Sequence, residues 1–193
     1  MKNDESFRIL VVDDNKELRE ILEEYLGGEG HYAEGAANGR EALERHLKDP
    51  YDLIVTDLNM PEISGMELIK TIRKDNQETE FIIITGYASM DSAVEAVRIG
   101  AFDYIVKPFR MEELQVVVKN VRDKVMLKKL NAKLVQTLQS FYDEMERYRR
   151  GKMPEESESR DEPVNGRQAS DTEQIVAEIR DMEKLRKGRL LIE

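Results

Sequence analysis

Chemistry-bearing side chains recur at the ends of short β-rich runs in the first 110 residues. Asp13 and Asp14 follow Phe7–Val12, Asp57 follows Leu53–Thr56, Thr85 closes Glu80–Thr85, and Lys107 follows Asp103–Val106. If these runs are parallel strands sharing one rim, three carboxylates, a hydroxyl and an ammonium converge there. Three neighbouring carboxylates repel and must be neutralised by a cation or by protonation. Oxygen-only donors with room for water suit Mg2+ better than a softer metal. A lysine, as a point charge on a flexible stem, suits a phosphoryl oxygen, and the threonine hydroxyl can donate to another. Together these groups describe an acyl-phosphate site. Asp57 is its candidate nucleophile, as the single carboxylate on the middle strand, opposite the pair. Each residue also has a simpler reading alone: Asp13 or Asp14 as a helix N-cap, Asp57 as a strand exit before Met60-Pro61, Thr85 as an ordinary strand residue, Lys107-Pro108 as the opening of the last helix. Their coincidence at neighbouring strand ends is what favours a site.

The elements that must position them follow from periodicity. With His31–Ala36, the runs make five strands. Between them lie Glu17–Leu26, Gly39–Lys48, Gly65–Lys74 and Ser89–Gly100, each with apolar residues at helical spacing, such as Leu18, Ile21, Leu22 and Tyr25. Five such βα units imply a parallel sheet with helices on both faces. Runs such as ILVV and FIII lack alternation, as strands buried on both sides do. The expected fold is α/β: a flavodoxin-like, doubly wound, five-stranded parallel sheet in the order 2-1-3-4-5, followed by a long helical extension.

A fifth helix starts near Met111 with no stop before Arg150. Leu114, Val118, Val121 and Val125 form a stripe expected to pack on the sheet, and Ile105 and Val106, the strand neighbours of Tyr104, are expected to be buried. Leu127, Leu130, Leu134, Leu138, Phe141, Met145 and Tyr148 then step by near-heptad spacings with one stutter. Such a seam is open to three readings: a helix folded back on its own domain, a homodimeric coiled coil or bundle, or a docking face for another protein. Residues 151–169 are rich in Glu, Ser, Pro and Gly, a linker composition. Ser170 and Glu173 match a capping box, ahead of a short amphipathic helix with Ile175, Ile179, Met182 and Leu185. The expected organisation is 1–122 globular domain, 123–150 helical extension, 151–169 disordered linker and 170–193 short helix and tail.

Composition removes other classes. The 193 residues contain no cysteine and two histidines, excluding disulfides, zinc–thiolate sites and histidine-rich metal centres. No apolar run suits a membrane span and the charged N-terminus does not suit a signal peptide, so a cytoplasmic protein is expected. Residues 1–120 hold 14 Lys and Arg against 25 Asp and Glu, whereas 121–150 hold 8 against 4. The acidic globular part repels nucleic acid.

The residues VVDDN (11–15), DLNMP (57–61), Ile84-Thr85-Gly86 and DYIVKPF (103–109) resemble the receiver domain of bacterial two-component response regulators, in order and spacing, from about Phe7 to Val121. GYASMDSAVEAVRIGAFDYIVKPF looks most like receivers of enhancer-binding transcription regulators, here without their output domains. The resemblance implies that Asp57 accepts a phosphoryl group from a histidine kinase. It implies that Asp13, Asp14, Asp57 and the backbone carbonyl of Asn59 hold Mg2+. It further implies that Lys107 contacts the phosphoryl group ahead of a cis bond to Pro108, that Thr85 moves towards it on activation, and that Tyr104 turns inward behind Thr85. The protein is then a signalling domain rather than an enzyme. No Gly-x-x-x-x-Gly-Lys loop, zinc spacing or convincing helix-turn-helix follows, so direct DNA binding is not expected. Output to an unknown target runs through the long helix, the tail helix or direct contact by the receiver, with control of protein–protein interaction through the helical extension the favoured reading. A phosphorelay shuttle passing its phosphoryl group to another histidine protein is the alternative. An aspartate-nucleophile phosphatase of haloacid-dehalogenase type fits less well: its second aspartate, two residues on, acts as general acid, and that position here is Asn59.

Overall fold

The computed structural model describes residues 7–149. Five βα units alternate strictly: β1 (Arg8–Val12), α1 (Lys16–Gly28), β2 (Tyr32–Ala36), α2 (Gly39–Lys48), β3 (Leu53–Thr56), α3 (Gly65–Asp75), β4 (Glu80–Thr85), α4 (Met90–Arg98), β5 (Asp103–Val106) and α5 (Met111–Arg149). All strand pairs are parallel, in the order β2-β1-β3-β4-β5. This is the expected flavodoxin-like sheet, and the long helix follows it. The expected linker (151–169) and tail helix (170–193) lie outside the described residues.

The three inner strands read as continuous apolar runs because successive side chains enter different cores. Ile9, Val11, Leu53, Val55, Ile82 and Ile84 pack with Leu22, Leu26, Leu114, Val118, Val121 and Val125. Leu10, Val12, Ile54, Phe81 and Ile83 pack with Ala42, Leu68, Ile69, Ile72 and Ala96. The first stripe of α5 thus lies on the sheet as its spacing predicts. One expectation fails. Ile105 is buried, but Val106 is 47% exposed, because β5 is an edge strand and its alternate residues face outward.

Local chemistry fixes the helix starts. Asn15 and Asn38 accept from the backbone N–H of Leu18 and Glu41, and Ser64 and Ser89 each close a capping box, with Glu67 and Ser92. Ser89 is therefore the cap of α4, one residue outside it. That helix stops at Arg98, short of Gly100, whose φ of 84° is left-handed.

α5 continues past the core. Lys124 and Lys128 reach Glu80 Oε1 at 2.9 and 3.0 Å, and Lys129 reaches Asp52 Oδ1 at 2.7 Å. Contacts with the base of the sheet therefore extend to Lys129. Beyond them the seam is open: Leu134 and Leu138 are each 49% exposed and Phe141 58%. It does not fold back onto its own domain within the described residues. Among those residues, no helix is long and apolar enough to cross a membrane.

Candidate functional site

Strand register brings the predicted residues together. Val12 pairs with Thr56 across β1 and β3, so Asp13 and Asp57 leave the sheet side by side, and the Asp57 N–H donates to the Val12 carbonyl at 2.9 Å. Thr85 pairs with Val106 across β4 and β5, and the Lys107 N–H donates to the Thr85 carbonyl at 2.8 Å. Lys107 can then reach back over the rim. Its Nζ donates to Asp13 Oδ2 at 2.6 Å and to Asp57 Oδ2 at 2.7 Å.

Carboxylate oxygens of Asp13, Asp14 and Asp57 lie within 4.8 Å of one another. Asp13 is buried, Asp57 half-buried and Asp14 exposed, so the cluster opens to solvent on one side. Burial pulls the Lys107 pKa down, but its bonds to Asp13 and Asp57 outweigh that and hold it above the ordinary lysine value. The ammonium is firmly charged and offsets part of the carboxylate repulsion. The remaining oxygens are aimed by the backbone: Asp13 Oδ1 accepts from the Asn15 N–H at 2.9 Å, and Asp57 Oδ1 from the Asn59 N–H at 3.2 Å. Three hard-oxygen donors around an open face fit a divalent cation such as Mg2+.

Thr85 is fully buried, its Oγ1 accepting from the Tyr87 N–H at 3.2 Å. Tyr104, on β5, is half-buried, and its hydroxyl is 2.9 Å from Ser92 Oγ on α4. The Lys107–Pro108 bond is cis.

Three further residues shape the site and escape a reading of strand ends. Gly65 opens α3 where a Cβ would fall 2.1 Å from the Asp57 carbonyl oxygen, so only glycine lets the helix approach the backbone of Asp57. Arg19 Nη1 donates to the Asp13 carbonyl at 2.5 Å, bracing the first strand end. Ser92 joins the α4 cap to Tyr104. Of these, only the Ser92 contribution to its cap has a sequence signal, in the spacing Ser89-Met-Asp-Ser92. The other two act on backbone carbonyls.

The family model for the response regulator receiver domain matches residues 9–119. The chain belongs to the receiver domain family of response regulators. It is 37% identical over 135 residues to the regulatory protein AtoC of Escherichia coli (strain K12), covering 70% of this chain and 29% of that protein. It is 40% identical over 111 residues to the transcriptional regulatory protein ZraR of Klebsiella oxytoca, covering 58% of this chain and 25% of that one. The receiver chain thus spans less than a third of the length of these two relatives. Among solved structures, the response regulator protein TrrA of Thermotoga maritima, in complex with Mg(2+)-BeF, aligns with a TM-score of 0.54 at 40% identity, over 59% of this chain and 97% of that one. The signal receiver domain of a putative Luxo repressor protein from Vibrio parahaemolyticus aligns with a TM-score of 0.63 at 28% identity, over 65% of this chain and 96% of that one.

Proposed function

We propose that this receiver is the response regulator of a two-component phosphorelay. It takes a phosphoryl group from a histidine kinase onto Asp57 and uses the modification to control protein–protein contacts made by its helical extension. The observation that carries the reading is the Lys107 ammonium bonded at once to Asp13 and Asp57, with Asp14 completing the oxygen cluster. The match to receiver relatives supports it.

Asp13, Asp14, Asp57 and the Asn59 carbonyl would hold Mg2+, which when bound supplies positive charge against the phosphoryl oxygens. An Asp57 carboxylate oxygen attacks the phosphorus of a phosphohistidine. The new O–P bond forms as the N–P bond breaks, and the electron pair of that bond leaves on the imidazole nitrogen. Lys107 releases the attacking carboxylate and donates to a phosphoryl oxygen, while its tie to Asp13 keeps it within reach. Thr85 donates to another oxygen after turning from the Tyr87 amide. Tyr104, tied to Ser92, then reports the change to α4 and β5. A phosphoryl group can shift this equilibrium only through contacts that differ between the two states. Asn59 cannot deliver a proton as a carboxylic acid can, which argues against a phosphatase. The open seam favours an interaction output over a pure shuttle, since a shuttle needs no such extension. A homodimer through 123–150, a separate downstream target and a cytoplasmic location complete the proposal.

The test is uptake of label from acetyl phosphate with Mg2+. Wild type is expected to take up label and Asp57→Asn to take up none; undiminished uptake by Asp57→Asn would remove Asp57 as nucleophile.

A further inference from the structure

At the base of the sheet, remote from the acyl-phosphate rim, Arg73, Gln77, Glu80, Arg98, Ile99, Gly100, Lys124 and Lys128 line a shallow cleft of about 450 Å³ that is open to solvent. Four cations face one carboxylate there. We propose that this cleft binds a phosphate-bearing small molecule, held by Arg98, Lys124 and Lys128.

Glu80 is 2% exposed, and both its oxygens are in use. Oε1 accepts from Lys124 at 2.9 Å and Lys128 at 3.0 Å, and Oε2 lies 3.6 Å from Arg73 Nη2. A single negative charge therefore answers three positive ones, and two ammonium groups are held on one oxygen despite their mutual repulsion. The Arg98 side chain makes no hydrogen bond or ion pair with another described residue, although it also lines a neighbouring cleft with Asp91 and Glu95. Two of the four cations, Lys124 and Lys128, come from the basic stretch 121–150, whereas Arg73 and Arg98 belong to residues 1–120, which carry 25 acidic against 14 basic residues. A positive concavity on an otherwise acidic body focuses the field and draws anions.

The donors suit phosphate. Each lysine ammonium carries three N–H groups and spends one on Glu80, so it can keep that bond and still donate to a ligand oxygen. Arg98 adds a planar fork. A phosphomonoester offers three acceptor oxygens to these three donors, and the cleft leaves room for its organic part beside Ile99, Gly100 and Gln77. Arg73 is less available, since its Nη1 and Nη2 donate to the Gln77 and Gly100 carbonyls.

The ligand would touch side chains of α4 and α5 at once. Glu80 begins β4 and Thr85 ends it, so about 17 Å of strand separates the cleft from the phosphorylation rim. The two sites can be filled independently, and an occupied cleft would fasten α4 to α5 whatever the state of Asp57.

The probe is inorganic phosphate, titrated into the full chain without Mg2+, with sodium chloride at matched ionic strength as control and backbone amides followed by NMR. Saturable shifts are expected at Arg98–Gly100 and around Lys124 and Lys128. Arg98→Ala and Lys128→Ala are each expected to weaken binding about tenfold or more, as loss of a charge-assisted bond does. The Arg98 side chain has no bonded partner among the described residues, so its replacement is expected to leave the fold intact, and the same spectra verify this. Equal shifts with chloride, a non-saturating titration, or affinity unchanged in Arg98→Ala would overturn the proposal. So would shifts confined to the Asp13, Asp57 and Lys107 rim.

Discussion

Lys107 is the residue on which the site turns, because among the described residues it alone bonds both carboxylates that the strand register brings together. Lys107→Ala leaves Asp13 and Asp57 facing each other without a cation and removes a donor to the transferring group. Phosphoryl uptake from acetyl phosphate is expected to fall roughly a hundredfold, and a rate within a factor of about two of wild type would count against its role. Gly65→Ala is expected to cost about 1–3 kcal/mol in urea denaturation, as overpacking does, because the new Cβ meets the Asp57 carbonyl. His46 gives a pH signature away from the rim. Burial lowers its pKa below 6.5, its Nδ1 accepting from the Tyr51 N–H at 3.3 Å, and burial lowers His31 likewise. The unfolded chain therefore binds protons that the folded chain refuses. Stability is full above about pH 6.5 and falls as the pH drops through that value towards the lowered folded pKa. Denaturation at about pH 7.5 and about pH 5.5 is expected to show the loss, and His46→Gln to flatten the profile between them. The four chemical positions were legible because each ends an apolar run, where a carboxylate or ammonium has no packing reason to be. Gly65 and Arg19 were not legible: both act on backbone carbonyls, whose positions exist only once the strands are registered.

Among the elements, α5 changes role along its length without a break in the helix. To Val125 it is a core helix, from Lys124 to Lys129 it is pinned to the base of the sheet by ion pairs, and beyond that its apolar seam is exposed among the described residues. Burial pushes the Glu80 carboxyl up, but hydrogen bonds from Lys124 and Lys128 outweigh burial and leave its pKa below the ordinary value. Glu80→Gln removes the charge that gathers these lysines. The variant is expected to lose about 2 kcal/mol, less than for a fully desolvated pair because the lysines are half in water. An unchanged denaturation midpoint would show that the helix is held by its apolar stripe alone. The inner strands were easy to read from sequence because burial on both faces leaves no alternation. β5 was misread at Val106 because a four-residue edge strand lacks the length to display its period.

For the whole molecule, the question is what covers the free half of α5. The exposed apolar residues Leu134, Leu138 and Phe141 lie on the helix beyond the ion pairs of Lys128 and Lys129 with the base of the sheet. A second copy pairing there would place two receivers on one helical stem, so a change at one rim could alter how the pair meets. In sedimentation, the full chain is expected to be a dimer whose association constant changes with the phosphoryl mimic beryllium fluoride, and Leu134→Lys with Leu138→Lys to be monomeric. A dimer unaffected by these substitutions would place the interface elsewhere. The near-heptad spacing was readable in the sequence, but its partner was not, since a seam specifies the geometry of a contact and not the identity of the other side. In the proposed function, all of this output depends on one covalent event. The measurement that tests it most directly is peptide-level mass spectrometry of the full chain after treatment with acetyl phosphate and Mg2+, with the acyl phosphate trapped by reduction. The trapped mark is expected on Asp57 alone and is expected to vanish when Mg2+ is chelated; a mark on Asp13 or Asp14, or one indifferent to the metal, would contradict the account.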